Sequence, residues 1–157
     1  DYLLENKFIQ YVDELIQKIR NSQDIVISLR NLAFILYNLK EYDFACKVFE
    51  IAGGYVSSEE PARLAEIYDF MGWSAYNSSQ YKKSINSFER ILELKKEFGD
   101  AVPYRFNTIY RWLASSANKD KQYFSAIAFE KKSIESMRSS GSTDKGGMCR
   151  EVNSLAP

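Results

Sequence analysis

Residues 68–88 read YDFMGWSAYNSSQYKKSINSF, and the spacing inside that stretch decides the fold. Met71-Gly72 is a large apolar residue followed by a small one. Tyr81 stands nine residues after Gly72, Ser84 three after the tyrosine and Phe88 four after the serine. The same order occurs earlier as Leu32-Ala33, Tyr42, Ala45, Phe49 and later as Leu113-Ala114, Tyr123, Ala126. The third unit departs at its end, with Glu130 at the aromatic position and Phe129 one step early. Leu155-Ala156 is a fourth pair in phase, so the offsets run 39, 42 and 42 residues. Small residues such as Ala33 and Ala45 let two helices of one hairpin approach, while their large neighbours fill the space between hairpins. A generic helical bundle could produce one such coincidence by chance. Three units with one spacing point to a repeat.

Working outward, apolar residues recur at three and four, as in SINSFERILEL, where Ile85, Phe88, Ile91 and Leu92 share a stripe. This periodicity predicts helices near 3–20, 24–38, 41–52, 59–77, 80–97, 103–118 and 121–138, with another start near 148. No strand pattern competes. Pro61 and Pro103 are placed at helix starts, and Gly53-Gly54, Gly99 and the run GSTDKGG at helix ends. Glu59-Glu60-Pro61 reads as a helix start with carboxylates complementing the dipole, not as a catalytic dyad.

The order of large, small, tyrosine, small, aromatic resembles the tetratricopeptide pattern W-x2-L-G-x2-Y followed by A-x3-F. Tyr68, Met71 and Gly72 take its W, L and G places, with Tyr81, Ser84 and Phe88 after them. Leu29, Leu32, Ala33, Tyr42, Ala45, Phe49 and Tyr110, Leu113, Ala114, Tyr123, Ala126 match in the same way. Leu36, Ala75 and Ala117 replace the tyrosine three beyond the G, and the closing proline is missing. The period also exceeds the usual length of about 34 residues. This long form resembles the repeats of kinesin light chains, polarity adaptors and the peptide-receptor regulators of Gram-positive bacteria. In those families GD commonly joins neighbouring repeats, as Gly99-Asp100 would here.

The resemblance covers roughly residues 24 to 138. It implies an all-α fold of antiparallel helical hairpins stacked into a right-handed superhelix. On this reading residues 1–22 are an N-terminal helix, either a partial repeat or a cap. Residues 23–58, 59–100 and 101–141 are three repeats, and 142–157 start a fourth or cap the third. The chain opens on Asp1 rather than methionine, as a processed protein or an excised fragment would.

Composition narrows function mainly by exclusion. Lys plus Arg equals Asp plus Glu at 21 each, so no global field draws nucleic acid or an anionic membrane. LAFILY at 32–37 is the longest apolar run, far short of the roughly 18 residues that span a bilayer. No signal peptide is visible, and Cys46 and Cys149 match no metal spacing. The expected location is the cytoplasm. The chain has no histidine, which removes Ser-His-Asp and Cys-His nucleophile pairs and histidine metal sites. Nothing in the sequence asks for a cofactor or metal, and no nucleophile–base constellation supports an enzyme. Cys46 reads as a small core hydrophobe aligned with Ile85 and Ile127. Lys82-Lys83 and Lys95-Lys96 read as a solvated face with helical charge pairs.

In arrays of this kind the first helix of each hairpin lines a concave surface. That resemblance assigns a peptide-binding groove to Arg30, Asn31, Phe34, Tyr37 and Asn38 in the first unit. It adds Asp69, Phe70, Trp73, Tyr76 and Asn77 in the second, and Arg111, Trp112, Ser115 and Asn118 in the third. Ile27, Glu66, Thr108 and Lys119 flank them. Aromatics with arginine are common interface anchors. The plainer alternative is that Phe34, Phe70 and Trp112 pack between hairpins while the asparagines end helices. The carboxylate clamp of chaperone-binding repeats is missing here: Arg30 survives, but Phe34, Phe70, Thr108 and Trp112 occupy the other clamp positions. The expected function is a scaffold or adaptor, either a subunit of a larger complex or a chaperone-like holder, that holds a peptide or helical segment of a protein partner. The alternative is a peptide-sensing regulatory domain controlling an attached effector.

Overall fold

A computed structural model describes residues 2–19 and 21–141. Among these residues the chain forms seven α-helices and no strand: α1 Tyr2–Lys18, α2 Ser22–Asn38, α3 Tyr42–Gly54, α4 Pro61–Asn77, α5 Tyr81–Phe98, α6 Phe106–Lys119 and α7 Tyr123–Ser139. The fold is all-α. The pairs α2–α3, α4–α5 and α6–α7 are antiparallel hairpins stacked in chain order, with α1 packed before the first. The expected continuation after residue 142, including Leu155-Ala156, lies outside the described residues.

Each hairpin turns by the same device. The Glu41, Gln80 and Gln122 amides reach back to the Leu36, Ala75 and Ala117 carbonyls at 2.9, 2.8 and 2.8 Å. The residue before each amide, Lys40, Ser79 and Lys121, sits in the left-handed region at φ 63°, 63° and 61°. This is a Schellman ending, which normally places glycine at the left-handed position. The asparagines read as helix endings are not that residue: Asn38 and Asn77 close α2 and α4, while Asn118 precedes the last residue of α6. The left-handed residues recur at the same 39- and 42-residue offsets as the packing pattern.

The small residues lie at helix crossings. Ala33, Gly72 and Ala114 are buried, as are Ala45, Ser84 and Ala126. A Cβ on Gly72 would stand 2.5 Å from Phe88 Cε1, so the ring fills the space that the glycine leaves. Phe49 and Phe88 have no exposed surface and anchor two apolar clusters. Each ring contributes roughly 3 kcal/mol by burial. Cys46 is 1% and Ile85 8% exposed, as their position on the stripe implies, whereas Ile127 is 45% exposed. Cys46 and Ile85 are covered by the following hairpin, and among the described residues none follows α7.

Two expectations need correction. Pro61 does open α4, but α6 begins at Phe106 rather than Pro103. Gly99, at φ 55°, starts a short 3-10 turn, and the connector then dips to bury Val102 in the second cluster. Lys95 is not a solvated lysine either. Its side chain is 12% exposed, and Nζ donates to the Val102 carbonyl at 3.0 Å. Lys83 pairs with Glu50 of the preceding hairpin at 2.7 Å, so it ties units together.

Candidate protein-binding face

The first helices α2, α4 and α6 lie side by side, and equivalent positions on them make rungs. Counted by the repeat offsets, Arg30, Asp69 and Arg111 are one set, and Phe34, Trp73 and Ser115 another. Asn31, Phe70 and Trp112 form a third, and Tyr37, Tyr76 and Asn118 a fourth. Side chains of one helix meet those of the next along this face. Phe34 meets Phe70 edge-on at 4.4 Å and Trp73 meets Trp112 at 5.9 Å. Phe49 closes the first pair into a triangle, at 5.5 and 5.7 Å, and Phe88 closes the second, at 5.3 Å to both rings. The tryptophan triangle thus repeats the phenylalanine one, a geometry that aromatic quadrupoles favour.

Polar rungs flank the rings. The Arg30 guanidinium forks onto Glu66, with Nη2 to Oε1 at 2.5 Å and Nε to Oε2 at 3.2 Å. Asn77 Nδ2 donates to the Trp73 carbonyl at 2.9 Å and lies 3.4 Å from the Tyr37 hydroxyl. Ser115 donates to the Tyr76 hydroxyl at 3.3 Å. The Tyr104 hydroxyl donates to Asp69 Oδ2 at 2.9 Å, and the Trp73 indole also favours the charged carboxylate. Burial raises the Asp69 pKa, and Glu66 nearby pushes the same way. Burial together with the Asp69 charge raises Tyr104. Burial raises Tyr37, and Tyr42 and Asp69 push the same way.

The third triangle is never completed. Ser115 stands at the Phe34 and Trp73 position, and Glu130 at the Phe49 and Phe88 position. In place of rings there is a polar cavity of about 360 Å³ lined by Trp73, Thr108, Arg111, Trp112, Ser115 and Glu130. A larger cavity of about 980 Å³ lies away from this face, between the start of α6 and the end of α7. It opens where Ser136 and Ser140 replace the Leu94 and Phe98 of the second unit.

None of the residues assigned to the groove is fully buried. Asn31, Asn38, Asn77, Arg111 and Asn118 are exposed. Arg30, Phe34, Tyr37, Asp69, Phe70, Trp73, Tyr76, Trp112 and Ser115 are half-buried. Phe34, Phe70, Trp73 and Trp112 pack between hairpins, as the plainer alternative has it, and each keeps part of its surface open. Sequence reasoning missed Tyr104, which sits in a connector with no repeat position to mark it. It noted Glu130 only as a break in the pattern; that break was the available signal for the cavity.

No family model and no curated protein matches this chain. Among solved structures the chain is similar to the TPR domain of Arabidopsis FLU, at TM-score 0.64 and 17% identity. The match covers 75% of this chain and 98% of that one. At that identity the likeness establishes the fold, an all-α tetratricopeptide-type helical repeat, which agrees with the hairpins and turns described above.

Proposed function

We propose that the protein is an interaction scaffold that holds a peptide or helical segment of a protein partner against the α2–α4–α6 face. The observation carrying this reading is the two-tryptophan rung, Trp73 against Trp112, left half-open beside a polar cavity. Large apolar surface kept partly solvated beside hydrogen-bonding groups is typical of a partner site. The exposed Asn38, Asn77 and Asn118 amides each offer donor and acceptor atoms to a bound backbone. On this reading residues 23–58, 59–100 and 101–141 act as successive units, and the partner runs across them.

The test is to purify the chain with whatever stays bound, identify the partner segment by mass spectrometry and compare Trp73→Ala with wild type. The expected loss of affinity is roughly tenfold or more, with the helical circular dichroism preserved. Unchanged affinity would move the site to the second helices. Lost affinity together with lost helicity would make Trp73 a packing residue alone. A regulatory domain switched by a peptide uses the same face, and no observation among the described residues favours it.

A further inference from the structure

We propose that the middle of this face receives one cationic side chain of the bound segment, an arginine or lysine, held by Asp69 against Trp73. The inference rests on the scaffold reading and names the chemistry of its partner.

The molecule carries its own example one unit earlier. Arg30 lies with its guanidinium carbon 4.7 Å from the centroid of the Phe34 ring while it forks onto Glu66 of the following first helix. A ring and a carboxylate together hold a cation. In the second unit Trp73 takes the Phe34 position and offers the better π-face. Asp69 takes the Arg30 position, so ring and carboxylate are both present, and among the described residues no ion pair to Asp69 is seen. The groups that favour the Asp69 charge, the Tyr104 hydroxyl and the Trp73 indole, are both neutral. The neighbouring charge that acts on it is Glu66, which is itself acidic and already engaged by Arg30.

A half-buried carboxylate served by neutral donors carries a desolvation cost that a cation would remove. Trp73 also borders the 360 Å³ cavity, which gives a long side chain room along its ring. Its methylene stem can lie along Trp73 and Trp112 while the charged head meets Asp69.

The chain's two tryptophans make the test direct. The indole N–H resonances of the ¹⁵N-labelled full chain are followed during titration with N-acetyl-L-arginine amide. A parallel titration uses N-acetyl-L-citrulline amide, its neutral isostere. The arginine probe is expected to shift the Trp73 indole saturably and to bind at least about tenfold more tightly than the citrulline probe, as a desolvated cation–π contact with a carboxylate implies. Asp69→Asn, whose carbonyl oxygen still accepts from Tyr104, should abolish that preference, and Asp69→Glu should retain it. Equal binding of the two probes, or a preference that survives in Asp69→Asn, overturns the proposal. The partner segment separates this inference from the scaffold reading. Binding lost in both Trp73→Ala and Asp69→Asn supports the cation site. Binding lost in Trp73→Ala and kept in Asp69→Asn leaves the scaffold standing and overturns the cation site. Binding kept in both overturns the two together.

Discussion

The hydroxyls of Ser84 and Ser116 lie 2.9 Å apart, bonding the second helix of one hairpin to the first helix of the next. Both residues are buried. By the repeat offsets Ser74 is the counterpart of Ser116, and Ala45 is the counterpart of Ser84. Ser74 is buried too, and its hydroxyl has no hydrogen-bond partner. The same joint is therefore satisfied between the second and third units and unsatisfied between the first and second. Ala45→Ser should supply the missing partner and raise stability by about 0.5–1.5 kcal/mol. Ser84→Ala should lower it by about 1–3 kcal/mol, because it orphans Ser116. Urea titrations of both variants check the pair, and a loss of stability in Ala45→Ser would contradict the equivalence of the two joints.

Gly72 and Gly54 should respond in opposite directions to the same substitution. A Cβ at Gly72 would press on one edge of the Phe88 ring, with three ring atoms inside 3.0 Å. Phe88 is fully buried and has nowhere to retreat. Gly72→Ala should cost about 1–3 kcal/mol through overpacking. Gly54 ends α3 with nothing within 4 Å of an added Cβ, so Gly54→Ala should be neutral or stabilising by up to about 1 kcal/mol. Thermal unfolding of the two variants side by side decides this.

The left-handed turn residues offer a third check. Lys40, Ser79 and Lys121 carry side chains in a conformation that costs an L-residue roughly 1–2 kcal/mol. Glycine removes that strain but loses more entropy on folding. Each change to glycine should yield a net gain of a few tenths to about 1 kcal/mol. The first two turns touch, with Gln80 donating to Asp43 at 2.7 Å, so each turn is read from its own single variant rather than from a triple one. A loss at any one turn would place that residue's side chain in a role the turn geometry does not reveal.

These cases also show how far the sequence could be read. Met71-Gly72 and its counterparts gave the helix order, the crossings and the face on which Trp73 and Trp112 meet, because packing of adjacent helices imposes a spacing. What escaped were contacts between units that depend on one residue breaking the pattern. Glu130 in place of a ring, Ala45 in place of Ser84 and Asp69 in place of Arg30 are single differences, and pattern matching treats them as noise. The Arg30–Glu66 fork joins residues 36 apart, a spacing set by the relative slide of two helices. Helical periodicity carries no information about that slide. Val102 likewise redirects the connector through tertiary burial, which the proline at 103 could not announce.

Asp69 makes stability depend on pH in a direction opposite to the usual carboxylate. Its folded pKa is raised above the ordinary 3.8, chiefly by burial. The folded state therefore binds the proton more tightly than the unfolded one, and this group's contribution to stability grows as pH falls through the folded pKa. Asp69→Asn mimics the protonated form and keeps the acceptor for Tyr104. It should be more stable than wild type near neutral pH, with the advantage shrinking as pH approaches 3.8. Denaturation at several pH values reads this out, and an advantage that grows on acidification would reverse the assignment.

Whether the partner lies on the first-helix face is decided by site-specific photocrosslinking. A benzophenone side chain is installed singly at Asn38, Asn77 or Asn118 on that face, and at Lys82 or Glu89 on the exposed side of α5. Each variant is irradiated with the co-purified partner, and the adducts are mapped by mass spectrometry. Adducts are expected from the three asparagine positions, ordered along one partner segment, and none from Lys82 or Glu89. Adducts from Lys82 and Glu89 with none from the asparagines would contradict it.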